Sequence, residues 1–128
     1  MAIRFSREIQ VRFADLDIHR HVNNAAYFTY VETAMIPGFG DIHQKLMDQG
    51  LAMLVVSAKC DYKHSIELTD RVIVEMWVGR IGTKSYVLDY EIGDGTGRIF
   101  ATVAVTMVCR DIASKKIVPV PDLIRQVA

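Results

Sequence analysis

The spacing of hydrophobic positions changes along the chain, and each change predicts an element. Near the N-terminus Ile9, Val11 and Phe13 alternate with Glu8, Gln10 and Arg12, the period of a first strand. A polar stretch from Asp15 to Asn24 follows. After it a helical segment, Ala25 to Ile36, is stopped by Pro37-Gly38. On a wheel of 100° per residue, Thr29, Glu32 and Thr33 crowd one sector of that helix, while its apolar side chains span roughly 200°. A surface helix has a narrower stripe, so the rest of the fold is expected to wrap this one. Asn23 or Asn24 is placed to cap its N-terminus.

A short second helix is predicted over 41–49, with Asp41 and Gln44 as a capping box and Gly50 as the stop. From there the period is two. Leu54 to Lys63, Arg71 to Val78 and Ser85 to Ile92 alternate, Gly93 to Gly97 is a turn, and Arg98 to Arg110 is a long β-branched strand. The connections are too short for crossover helices, which predicts an antiparallel meander. Past Pro119 and Pro121 a last helical turn is expected over 122–126. The plan is α+β: one long apolar helix and one antiparallel sheet curled around it. Ile73, Trp77 and Val87 fall on the sheet face turned away from the helix, which points to self-association.

Composition narrows the classes. No linker, repeat or low-complexity segment divides the 128 residues, so 1–128 read as one domain. Hydrophobic residues make up 51%, enough for a real core. Fifteen Lys and Arg balance fifteen Asp and Glu, at a pI near 6.9, which is no footprint for nucleic acid or an anionic membrane. The first ten residues lack an apolar signal core. Cys60 and Cys109 have no metal-type spacing and read as reduced thiols of a cytoplasmic protein.

The chemistry concentrates between Val11 and Tyr27. This segment joins the first strand to the start of the apolar helix, so it sets carboxylate and imidazole groups beside a helix N-terminus, where N–H groups converge. That setting suits a carbonyl oxygen becoming an oxyanion, attacked by a carboxylate or by a water the carboxylate activates. Asp15, two residues before Asp17, reads as structural. Glu32 is expected to bridge to a neighbouring strand. Asp17, His19 and His21 invite a metal reading, but no fourth ligand accompanies them and no metal is expected. Gly93-x-Gly95-x-Gly97 lies between strands with no helix after it, and reads as a hairpin turn rather than a phosphate loop. Lys59, Lys63, His64, Arg80 and Lys84 are the cations available for phosphate groups.

Asp17-Ile-His-Arg-His21-Val-Asn-Asn24-x-x-Tyr27 resembles the signature of the hot-dog-fold acyl thioesterases, most of all the 4-hydroxybenzoyl-CoA thioesterase-like branch, and is similar to the acyl-ACP thioesterases. Tyr62-Lys63 before a turn, Asp70, Gly82-x-Lys84-Ser85-Tyr86 and Val118-Pro-Val-Pro121 follow in that family's order. The resemblance implies a five- or six-stranded antiparallel sheet around the long helix, in homodimers or homotetramers. It implies hydrolysis of an acyl-CoA or acyl-ACP thioester at a site between subunits, with no cofactor beyond the CoA of the substrate. Carried over position by position, Asp17 is the nucleophile or general base, and His21 and Asn24 accompany it. Ala25, Tyr27 and Tyr62 face the substrate, and Lys59, Lys63 and Lys84 are the candidates for its phosphates. Arg20 stands where the CoA branch has glycine, so its backbone is expected in a conformation that glycine tolerates more easily. The rival readings are an acyl-CoA-binding protein without turnover, and a hydratase acting on enoyl or hydroxyacyl thioesters.

Overall fold

A computed structural model describes residues 2–128; the expectation for the N-terminus that falls on Met1 lies outside them. The elements in chain order are β1 (Phe5–Ile9), a 3-10 turn (Phe13–Asp15), α1 (Ala26–Asp48), β2 (Leu51–Tyr62), β3 (Val72–Ile81), β4 (Ser85–Gly93), β5 (Ile99–Asp111), β6 (Ile117–Val118) and α2 (Asp122–Arg125). They form one antiparallel sheet in the order β1-β3-β4-β5-β2, with β6 paired to β5. Alternation sets its faces. Val72, Val74, Met76 and Val78 of β3, and Tyr86, Leu88, Tyr90 and Ile92 of β4, point inward and are buried. The inner face packs on Tyr27, Tyr30, Val31, Ala34, Phe39 and Leu46 of α1, so the helix lies in the curl of the sheet. This is the α+β hot-dog arrangement that the resemblance implies.

The meander holds only for β3, β4 and β5. β2 pairs with β5, at the edge opposite β1, not with β3. Residues 63–71 therefore cross the end of the sheet, where the Lys63 and His64 N–H groups both donate to the Phe100 carbonyl, at 2.8 and 3.1 Å, and Ile66 is fully buried. Alternation assigns faces but is blind to strand neighbours.

α1 runs unbroken through Pro37-Gly38, so the expected stop, the second helix and its capping box are all absent; Asp41 and Gln44 are mid-helix, and Gln44 Nε2 donates to Asp48 Oδ1. A proline inside a helix costs about 3 kcal/mol. Burial of Phe39 and Leu46 beyond it stabilises by about 1.5–3 kcal/mol each, which offsets that loss. Phe5 of β1 packs so closely on Gly38 that a Cβ there would lie 2.7 Å from the Phe5 Cβ. The first strand ends at Ile9, earlier than its pattern predicts; among the described residues it pairs with five residues of β3. Ile9 and Val11 are buried, but Phe13 is 81% exposed. On the outer face Trp77 is half-buried under the Arg4 guanidinium, 4.0 Å from the ring centroid, and Arg4 also pairs with Glu75. Cys109 is buried and Cys60 half-buried, both as free thiols. Among the described residues no helix is long and apolar enough to cross a membrane.

Candidate active site

The segment between β1 and α1 is held at both ends. Asp15, only 6% exposed, accepts from the Arg12 N–H (3.0 Å), Arg12 Nη2 (2.9 Å) and the Tyr30 hydroxyl (2.8 Å), while its carbonyl accepts from the Asn23 N–H (2.8 Å). Burial pushes its carboxyl up, but these hydrogen bonds and the Arg12 charge outweigh burial and hold it below the ordinary carboxylate value. Asp15 is thus structural, as its position suggested.

Leu16 and Val22 form a bridge, and the five residues between them fold back as a tight loop. The Asp17 N–H donates to the His21 carbonyl (3.0 Å) and the Arg20 N–H to the Asp17 carbonyl (3.0 Å). Closing this loop puts Arg20 at φ +61°, the left-handed conformation expected where glycine is usual. Asp17 is half-buried; its Oδ1 accepts from the His19 N–H (2.8 Å), and its Oδ2 has no hydrogen-bond partner among the described residues. One carboxylate oxygen is therefore fixed and the other is free for a substrate or a water.

Asn23, rather than Asn24, caps the turn that leads into α1, whose own N-cap, Ala25, has no side-chain cap. Its Oδ1 accepts from the Ala25 N–H (2.9 Å) and its carbonyl from the Ala26 N–H (2.9 Å). The Ala25 N–H is thereby engaged, and the Asn24 N–H has no acceptor among the described residues. From the other side the Tyr62 hydroxyl donates to the Asn24 carbonyl (2.9 Å), and its ring meets Tyr27 edge-on at 4.9 Å. Burial, then contact with Cys60, pushes the Tyr62 hydroxyl up to about 12, so it stays a donor at any physiological pH.

A cleft of about 340 Å³ opens over this helix start, and Asp17, His21, Asn24, Tyr27, Tyr62 and Lys63 all line it. A wider cleft of about 780 Å³ lies across the same loop, against Phe13 and Glu67 to Thr69, but does not reach the helix. Six of the nine site residues marked in the sequence thus come together. Ala25 is beside them but not on the wall. Lys59 lies farther along β2, 3.7 Å from Asp61, and Lys84 is in the β3–β4 turn at the opposite end of the sheet. His19 and Val22 of the loop also line the cleft, and Ser65, unmarked in the sequence, joins it with His64 because the 63–71 crossing passes there. Only the strand order reveals that crossing. Glu32 makes no bridge: it is exposed, with no ion pair or hydrogen bond among the described residues. No cluster of His, Cys, Asp and Glu among them has a metal-binding arrangement.

Residues 11–127 match the family model of the thioesterase-like superfamily. The chain is 28% identical over 122 residues to the long-chain acyl-CoA thioesterase FadM of Escherichia coli, covering 93% of this chain and 92% of that one. Among solved structures it resembles the YbaW probable thioesterase of Escherichia coli at a TM-score of 0.89 and 27% identity, over 95% of this chain and 94% of that one. The DHNA-CoA thioesterase of Staphylococcus aureus shares the fold, with a TM-score of 0.79 at 24% identity over 91% and 80% of the two chains. The chain belongs to the thioesterase-like superfamily, as a hot-dog-fold thioesterase.

Proposed function

We propose that the protein hydrolyses acyl-CoA thioesters, with Asp17 as nucleophile or general base. The observation that carries this reading is the half-free Asp17 carboxylate sharing one cleft with an unengaged N–H at the start of α1. The thioester carbonyl lies with its oxygen toward the Asn24 N–H and the positive end of the helix, where charge on the oxygen is stabilised as attack proceeds. Asp17 Oδ2 either attacks the carbonyl carbon to give a mixed anhydride, which water then cleaves to the free acid and a restored Asp17 carboxylate, or takes a proton from an attacking water. The CoA thiolate leaves without a strong general acid, and no cofactor or metal enters the scheme. His21, Tyr27 and Tyr62 shape the cleft, and Lys63 on its rim faces the phosphates. The acyl-CoA activity in the name of the FadM relative supports the substrate class.

The protein is further proposed to act as a homodimer or homotetramer. β2 is a twelve-residue edge strand with Val55 and Val56 each more than half exposed, an open template for a second chain. Light scattering at micromolar concentration that returns a monomer overturns this.

Thiol release from a panel of acyl-CoAs, read with a chromogenic disulfide, tests the activity. Asp17→Asn is expected to lower kcat about 10²–10⁴-fold while the protein stays folded. Acyl-ACP run beside acyl-CoA decides the carrier. Single turnover in heavy-oxygen water tests the role of Asp17: label in its carboxylate marks the nucleophile, through a mixed anhydride opened at the aspartyl carbonyl. Binding of acyl-CoA without turnover sinks the enzymatic reading.

A further inference from the structure

The zero net charge of the chain averages two unlike ends of the sheet. Backbone hydrogen bonds gather three segments at the end away from the cleft. The Val120 N–H donates to the Thr83 carbonyl (2.9 Å) and Arg125 Nη2 to the Gly82 carbonyl (3.0 Å), which straps the C-terminal tail across the β3–β4 turn. The Asp111 N–H donates to the Lys116 carbonyl (2.8 Å) and the Ile112 N–H to the Gly50 carbonyl (2.9 Å), which seats the β5–β6 turn beside the start of β2. Arg80, Lys84, Arg110, Lys115, Lys116 and Arg125 are thereby brought to one end, with Asp111 and Asp122 as the acids of the same segments. Lys45 and Asp48, in the last turns of α1, offset each other there. None of the six cations is in an ion pair among the described residues, and Asp111 Oδ1 accepts from the Ser114 N–H (2.8 Å). Glu67 and Asp70 of the 63–71 crossing, Glu91 near the end of β4 and Asp94 in the β4–β5 turn are among the balancing acids, and they lie at the cleft end.

Two isoleucines stand among these cations. Ile112 and Ile117 flank the β5–β6 turn and are 46% and 39% exposed. Lys115, at the tip between them, holds φ +61°, a conformation glycine adopts more easily, so a cation is kept there against the backbone preference. Aliphatic tips ringed by Lys and Arg match a phospholipid surface, where phosphates meet the cations and the apolar tips enter the acyl boundary. Nucleic acid is a poorer match. The exposed large aromatics among the described residues, Phe13 and Tyr62, are both at the cleft end, which leaves this end without a platform for stacking bases.

We propose that this basic end docks on an anionic phospholipid surface, with Ile112 and Ile117 inserted and the acidic end held away from it. Each Lys or Arg within about 8 Å of such a surface, a Debye length at physiological salt, tightens binding about fivefold. The excess of six cations over two acids then gives a preference over a neutral surface of about 500-fold. The cleft faces solvent in this pose, and docking is independent of the bond-breaking step.

Flotation with vesicles of phosphatidylcholine alone, and of phosphatidylcholine with about 30% phosphatidylglycerol, reads the surface directly. The protein is expected to float with the anionic vesicles only, and to be released as salt rises from about 50 mM to about 500 mM. Lys115→Glu/Lys116→Glu reverses two charges and should weaken binding at least about a hundredfold; Arg80→Glu, in the other turn, should weaken it about twentyfold. Ile112→Ser should lose about tenfold with the salt dependence unchanged. Arg98→Glu, exposed at the cleft end, should bind as the parent does. Equal binding to neutral and anionic vesicles, or binding to neither, overturns the proposal. So does a Lys115→Glu/Lys116→Glu or Arg80→Glu protein that floats like the parent. Tighter binding to a short DNA duplex than to the anionic vesicles overturns it as well, and assigns the basic end to nucleic acid. Flotation without turnover of acyl-CoA keeps the surface and rejects the thioesterase reading; turnover without flotation does the reverse.

Discussion

The Tyr30 hydroxyl donates to Asp15 Oδ2 across 2.8 Å and joins the buried face of α1 to the turn that launches the Asp17 loop. Burial pushes the Tyr30 hydroxyl up, and the Asp15 carboxylate beside it adds to the effect, so the tyrosine remains a donor while Asp15 remains ionised. A hydrogen bond to a buried charge is worth about 1.5–3 kcal/mol. Tyr30→Phe is therefore expected to lower unfolding free energy by about that amount at neutral pH, measured by urea denaturation followed through the single tryptophan, Trp77. Because the Asp15 pKa is lowered on folding, its stabilisation is complete above the ordinary carboxylate value and lost as pH falls through the folded value. Tyr30→Phe removes one of the bonds that lower it, so the variant's acid transition moves to higher pH. An unchanged acid midpoint rejects this account.

The Tyr62 hydroxyl holds the Asn24 carbonyl, and with it the orientation of the first turn of α1. Tyr62→Phe keeps the edge-on contact with Tyr27 but loses the donor. The expected cost is about 0.5–1.5 kcal/mol in stability, with a fall in kcat larger than any change in KM, since the loss bears on the geometry that receives the oxyanion. A rise in KM alone assigns Tyr62 to substrate binding instead. Steady-state kinetics of the folded variant separate the two.

What the sequence made legible is what short-range rules determine. The alternation of β3, β4 and β5 assigns their buried faces, and the Asp17–His21 loop shows itself because charged and imidazole groups precede an apolar helix. Three features stayed hidden for physical reasons. Pro37-Gly38 reads locally as a helix stop, and only the burial of Phe39 and Leu46 against the sheet overrides it. The place of β2 beside β5 depends on pairs as distant as Leu51 with Asp111, which no local pattern encodes. The cavity lined by Met53, Tyr90 and Met107 is assembled from three strands at once.

Arg20 offers a direct test of the loop. An L-residue in the left-handed region costs about 1–2 kcal/mol, and glycine avoids that cost while adding unfolded-chain entropy of about 0.5–1 kcal/mol. Arg20→Gly is thus expected to be neutral to stabilising by up to about 1 kcal/mol. Arg20→Val, β-branched and ill-suited to positive φ, is expected to lose at least about 1 kcal/mol. Thermal denaturation of both variants checks the order. If the glycine variant is the less stable of the two, the loop is not held at positive φ in solution.

Gly38 and Pro37 are neighbours on α1 with opposite expectations. In an exposed helix Gly→Ala gains up to about 1 kcal/mol from propensity. At Gly38 the added Cβ meets Phe5 Cβ and Cγ, both at 2.7 Å, so strand or helix must shift. Overpacking of this kind costs about 1–3 kcal/mol, which exceeds the propensity gain, and Gly38→Ala should destabilise. Shortening the obstruction removes the conflict: in the background of Phe5→Ala, Gly38→Ala should become neutral or stabilising, and the two changes should couple by at least about 1 kcal/mol. Pro37→Ala is expected to act the other way. It restores a backbone N–H where α1 has none, at an exposed position, and should stabilise by about 1–3 kcal/mol. Urea denaturation of the four variants decides between two pictures of the chain. A destabilised Pro37→Ala with a harmless Gly38→Ala describes two helices meeting at a break; the reverse pattern describes the single helix, pressed against Phe5, that carries the site at its start.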